Sequence, residues 1–250
     1  MAICCSRIVR TCLVTIGFLD EEEPDISKEE VNKRFQKEHQ FWIPRDRKVF
    51  WGGFAQNVHL NLPRRLGECL NHFKQDGIKP GVAIELGWGN NPAVPYLLKN
   101  GWEVIAVDNS PQVLKSLQQR VHETVSDKEK FFTAVCSDIE TYQFPKNVRL
   151  ILASFPYCNP LKVVEVWNRA YDSLERGGRM VGVFFPHLCN PRFEAFARGL
   201  MGSSYTDKAT VKALLKSKGY EIEICDYSEP RFKELLFDKL REIDFMGKKV

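Results

Sequence analysis

From residue 82 onward, short apolar runs alternate with helical patterns, and this alternation constrains the fold more than any other feature of the chain. VAIEL (82–86), EVIAVD (103–108), FFTAV (131–135), RLILAS (149–154) and RMVGVFF (179–185) have the length and composition of buried strands. Between them, PAVPYLLKN, the segment opening at Pro111 and residues from about 161 to 175 carry helical spacing. Pro111 suits a first helical turn, where a missing N–H costs nothing. Strands separated by helices pair in parallel through right-handed crossovers, so the pattern predicts a Rossmann-like, doubly wound α/β sheet. A further helix is expected in TDKATVKALLKSKG, capped by Thr206 and stopped by Gly219. YEIEIC (220–225) and LREIDFMGKKV (240–250) have no crossover helix between them. They predict an antiparallel hairpin closing an otherwise mostly parallel sheet.

The sequence before residue 80 reads differently. Residues 1–25 are expected to be an extension, possibly disordered, that ends in the acidic DEEEPD. Their apolar run is too short to span a bilayer, and no small-residue cleavage pattern follows. Residues 26–79 are expected to form a helical cap or lid region, and residues 80–250 the main domain. Ser27 and Glu30 have capping-box spacing, predicting a helix to about residue 40. FWIPRDRKVFWGGF then mixes aromatics with arginines, which suits either a lid over a ligand or the packing of an N-terminal helix with snorkelling arginines. RRLGECLNHF places apolar residues at 66, 69, 70 and 73 of a helix ending near Gly77.

A chain of 250 residues, 44% hydrophobic, can bury a full core. Its net charge of +4 is mild for a dedicated nucleic-acid binder. The eight cysteines show no CxxC pair and no Cys/His cluster with zinc spacing, so no metal site is expected. Several, Cys136 among them, lie in apolar runs and are expected to be small buried hydrophobes in a reducing, cytoplasmic setting.

The chemistry concentrates where the first strand ends, at Glu85-Leu86-Gly87-Trp88-Gly89-Asn90-Asn91. Glycines at 87 and 89 let the backbone turn and approach a ligand. Asp108 ends the second strand about 20 residues on, where an acid accepts hydrogen bonds from ribose hydroxyls or caps the next helix. A dinucleotide's pyrophosphate favours a third glycine, and here that position is Pro92. An anionic Glu85 beside a pyrophosphate is unfavourable, whereas beside a cation it helps. A sulfonium cofactor, S-adenosylmethionine, fits better.

ELGWGNNPAVPYLLKNGWEVIAVDNSPQVL resembles the first and second motifs of the class I S-adenosylmethionine-dependent methyltransferases. CSDIETYQF, LILASFPYCNP and LERGGRMVGVFF are similar to that family's third motif, fourth motif and later helix-turn-strand. Within the family, the nearest likeness is to small-molecule enzymes of the tellurite-resistance and thiopurine methyltransferase type. The resemblance implies that Gly87 and Gly89 line the methionine moiety, with Glu85 holding it through the loop or water. It implies that Asp108 binds the ribose, Asn109 flanks the adenine, and Asp138 and the Ile139 backbone take the adenine edge. Ser154 and Phe155 would face the sulfonium. Trp88 stands where the family has a small residue, and either stacks over the cofactor or points into the loop.

The acceptor is expected to be a small molecule. SFPY (154–157) resembles the acceptor motif of N-methyltransferases that act on a nucleobase or protein amide, with Ser154 and Tyr157 matching. It reads equally as a strand end turned by Pro156. His187 in FFPHLCNP is a candidate base, or a structural histidine. A non-catalytic methyltransferase-like binding module is the remaining alternative.

Overall fold

A computed structural model of the chain describes residues 27, 29, 65–87, 92–154, 160–186, 205–206, 208–227 and 243–250. The strands are β1 (Val82–Leu86), β2 (Glu103–Asp108), β3 (Phe132–Cys136), β4 (Val148–Ser154), β5 (Leu174–Pro186), β6 (Tyr205–Thr206), β7 (Tyr220–Tyr227) and β8 (Ile243–Lys249). The helices are α1 (Leu66–Gln75), α2 (Ala93–Lys99), α3 (Pro111–Val125), α4 (Pro160–Ser173) and α5 (Lys208–Ser217).

One sheet runs in the order β3-β2-β1-β4-β5-β8-β7, with β6 pairing off this path to β5. Strands β1 to β5 pair in parallel. Strand β8 runs antiparallel between β5 and β7. The doubly wound sheet with an antiparallel C-terminal hairpin is therefore as the sequence predicts. The chain order reverses direction between β1 and β4, and such a switch point opens a crevice beyond the carboxyl ends of the strands.

Alternate side chains of each strand feed two apolar layers. One joins Ile84, Leu86, Ile151 and Phe184 to Val163, Val166, Trp167 and Ala170 of α4, an i, i+3, i+4, i+7 stripe. The other joins Ala83, Val104, Leu150, Leu152 and Val181 to α1, α2 and α3. Helix α1 contributes Leu66, Cys69 and Phe73 at the expected spacing, and Phe73 meets Trp102 edge to face at 5.4 Å. Burying Leu66 and Phe73 stabilises by roughly 1.5–3 kcal/mol each.

Ion pairs fasten α1 at both ends. Arg65, just before it, reaches Asp244 at 3.2 Å; Asp244 pairs in register with Val183, towards the carboxyl end of β5. Asp76, just after it, meets Arg179 at 2.7 Å and Lys248 at 3.0 Å. Arg179 is 1% exposed, also forks onto Glu223 at 2.7 and 2.8 Å, and lies over the Phe73 ring.

Four local expectations need correction. Thr206 belongs to β6, where Tyr205 and Thr206 pair with Phe185 and Pro186, and α5 opens only at Lys208. Strand β3 starts at Phe132, because Ser126–Phe131 closes a 3-10 turn that leaves Phe131 exposed. Helix α4 stops at Ser173 and β5 begins at once, its register shifting before Arg179. Gly177 (φ +81) stands within that irregular stretch. Cys69 and Cys225 are buried as expected, but Cys136 is exposed, since β3 is an edge strand. No helix of the described residues is long and apolar enough to cross a membrane.

Candidate functional site

Three strand ends, from β1, β2 and β3, bring the predicted residues to the same edge of the sheet. Gly87 follows β1 with φ +66, a conformation that strains any residue with a Cβ. Its N–H donates to Val107 O at 2.8 Å, tying the first turn to the second strand. Among the described residues, a Cβ built on Gly87 meets nothing within 4 Å, so they leave space beside this turn.

Asp108 ends β2, half-buried, and its Oδ1 accepts the Ser110 N–H at 2.8 Å in an Asx-turn. The capping role weighed for Asp108 belongs to Ser110, whose Oγ accepts from Val113 N at the head of α3. The carboxylate is thus oriented by the turn without being the cap. Ser137 N donates to Asp108 O at 3.0 Å, which joins the β2 and β3 loops through the backbone. Their side chains join too: Asn109 Nδ2 donates to Asp138 Oδ1 at 2.7 Å. The residues expected to flank and to hold an adenine are therefore already in contact. Ile139 is buried behind Asp138 and anchors that loop in the core.

Glu85 is the least conventional member. It is 2% exposed, and its Oε1 has no hydrogen-bond partner among the described residues. Burial, and then the charge of Asp108, pushes its carboxyl well above the ordinary carboxylate range. Without a cation beside it, the group therefore favours its neutral form more than an ordinary carboxyl does. An orphaned carboxyl next to an open glycine turn fits a ligand that brings positive charge or a hydrogen-bond donor.

Ser154 ends β4, with its backbone in register with Val183. Trp88, Gly89, Phe155, Tyr157 and His187 lie outside the described residues. Among the described residues, no group of three or more His, Cys, Asp or Glu side chains is placed to hold a metal ion.

Two participants escaped the sequence reading. Ser110 was legible in principle, as a Ser before Pro in a helix-start pattern. Arg169 of α4 was not: it donates to Ile139 O and Glu140 O, 30 and 29 residues back along the chain.

Residues 83–178 match the family model described as a methyltransferase domain. No curated protein matches the chain. Among solved structures, it is similar to phosphoethanolamine N-methyltransferase 2 from Haemonchus contortus, in complex with phosphomonomethylethanolamine and S-adenosylhomocysteine. That similarity has TM-score 0.63 and 19% identity, over 84% of this chain and 60% of that one. The chain therefore spans less than two thirds of the length of the Haemonchus protein. It is similar to TehB from Haemophilus influenzae (TM-score 0.59, 13% identity, 82% of this chain and 67% of that one). A third similarity is to geranyl diphosphate C-methyltransferase from Streptomyces coelicolor A3(2) (TM-score 0.59, 11% identity, 83% and 100%). At these identities the likeness establishes the fold.

Proposed function

We propose that this chain is a class I S-adenosylmethionine-dependent methyltransferase that acts on a small molecule, a reading supported by its fold and by the match of residues 83–178 to a methyltransferase domain. The observation that carries the reading is the convergence of Gly87, Asp108 and the Asn109–Asp138 pair at the carboxyl edge beside the switch point. The open space at Gly87 and the orphaned Glu85 carboxyl fit S-adenosylmethionine, which supplies a methyl group already activated on sulfur.

In this reading Gly87 lets the backbone approach the methionine moiety, with Glu85 behind it. Asp108, fixed by its Asx-turn, accepts from the ribose hydroxyls. Asp138 and the Ile139 backbone meet the adenine edge. Transfer to a nucleophile relies mainly on proximity and alignment, so the chain's contribution is to hold these elements fixed and dry. The ends of β1, β2 and β3 suit that role, since each is tied to its neighbour by a hydrogen bond.

A small acceptor is favoured over nucleic acid by how basic side chains are used. Arg65, Arg179 and Lys248 are in internal ion pairs, and Lys249 donates to Tyr171 O and Leu174 O. These four basic side chains are engaged within the protein rather than offered to phosphates, and the net charge of +4 is mild. The Haemonchus and Streptomyces enzymes, in complex with phosphomonomethylethanolamine and with geranyl diphosphate, support the same class.

Calorimetry with S-adenosylhomocysteine tests the reading. One site is expected in the parent protein and none in Asp108→Ala. No heat from the folded parent would overturn it. Methyl transfer to small thiols, oxyanions and amines, against DNA, RNA and proteins, then identifies the acceptor; a preference for a polymer would displace the small-molecule assignment.

A further inference from the structure

We propose that Arg169, on α4 and outside every recognised motif, is a positioning residue for the adenine end of the cofactor site. The inference rests on the methyltransferase reading above. The loop after β3 turns tightly: Asp138 O accepts from Thr141 N at 3.1 Å, Tyr142 N at 3.0 Å and Thr141 Oγ1 at 3.3 Å. Those bonds shape the turn, and buried Ile139 with the Ser137 N–H donated to Asp108 O holds its base against the sheet. Two further contacts orient it. On one side the Asp138 carboxylate is held by Asn109, at the end of β2. On the other, Arg169 Nη2 donates to Glu140 O at 2.6 Å and to Ile139 O at 3.4 Å.

Arg169 is an odd choice for stability alone. It is half-buried, it donates to neutral carbonyls, and its buried Nε has no hydrogen-bond partner among the described residues. A buried donor left unmade is unfavourable, so the guanidinium gives up part of what it gains at the carbonyls. What it supplies is geometry. One nitrogen clamps two successive carbonyls of the loop, and it does so from a helix packed into the core through Val163, Val166, Trp167 and Ala170. The loop's carbonyls are turned to α4, while the Asp138 carboxylate stays with Asn109 at the open edge. Loss of the clamp frees residues 138–142 to shift relative to Asp108 without unfolding the sheet.

The test compares S-adenosylhomocysteine with S-inosylhomocysteine, which carries an oxygen in place of the adenine amine, and with a 2′-deoxyribose analogue. In the parent, the inosine form binds more weakly. Arg169→Ala is expected to bind S-adenosylhomocysteine about tenfold more weakly and to lose most of the adenine-over-inosine preference. The penalty for the missing 2′-hydroxyl stays as in the parent, because Asp108 is untouched. Arg169→Lys keeps one donor and falls between. Should Arg169→Ala not fold, the lysine variant decides: an adenine preference equal to that of the parent overturns the proposal. So does a folded Arg169→Ala with an unchanged preference, or one in which adenine and ribose discrimination fall together. Absence of S-adenosylhomocysteine binding to the parent removes the methyltransferase reading itself, whereas normal parent binding with unchanged Arg169 variants removes only this role.

Discussion

Replacing Glu85 by glutamine changes how the stability of the ligand-free protein depends on pH. Glu85 is 2% exposed, lacks a partner for Oε1 among the described residues, and has the charge of Asp108 nearby. Burial first, and Asp108 second, raise its pKa well above the ordinary value of 4.5. The unfolded chain gives up this proton near the ordinary value, while the folded protein keeps it to higher pH. Between those two values the folded state binds one more proton than the unfolded state. Stability then falls as pH rises, by about 1.4 kcal/mol per pH unit from this one group. Below the ordinary value both states are protonated and the slope vanishes; above the folded value the penalty is complete and constant. Glutamine has nearly the same shape and no proton to lose, so any cost of its amide is a pH-independent offset. The advantage of Glu85→Gln over the parent therefore grows across the window and levels off below it. Denaturant melts of both proteins from about pH 5 to about pH 8 read the difference. Groups with the opposite sign cancel in the subtraction. Glu223 is one: burial pushes its carboxyl up, and hydrogen bonds from Arg179 and His72 more than offset that, so it stabilises at neutral pH and not in acid. Parallel stability curves for the two proteins would refute the argument, because they would mean that Glu85 titrates alike folded and unfolded.

Arg179→Met leaves the Glu223 carboxylate without its bidentate partner and Asp76 without its shortest one; a loss of about 3–5 kcal/mol is expected in a urea melt, largely recovered when Glu223→Leu is added. Gly182→Ala places a Cβ 1.9 Å from Ala153 O and 2.9 Å from Phe245 Cζ, so β4 and β5 must separate beside Ser154. A cost of about 3 kcal/mol or more is expected by thermal denaturation, and a variant as stable as the parent would contradict the packing described.

Much of the sheet was legible because its strands are buried on both faces and read as continuous apolar runs. EVIAVD gave β2 to the residue, and with it Asp108. Turn chemistry was legible where a single residue type is required, as at Gly87 with φ +66. Edges were harder. Cys136 sits in an apolar run yet is exposed, since burial on an edge strand depends on the missing neighbour and not on local composition. β6 is two residues long and defined only by its partner, so no period announces it. The upward shift of Glu85 was hidden for a related reason: sequence gives the group, but burial sets how readily it ionises. Arg169 and Arg179 act across 30 and 103 residues respectively, and nothing in their local sequence points to those partners.

Helix α1 lies before the segment that matches the methyltransferase family, yet it is held at both ends by ion pairs and through its middle by Leu66, Cys69 and Phe73. The cluster it joins includes Ala83, Leu150 and Leu152, which lie within the match, and Val181 just beyond it. For anyone recombining methyltransferases, the seam of homology at residue 83 is therefore a poor place to cut. A graft joined there would strip one wall from the sheet and strand Arg179 among apolar neighbours with half its counter-charge gone. Any junction has to fall before Arg65, so that α1 travels with the sheet it covers.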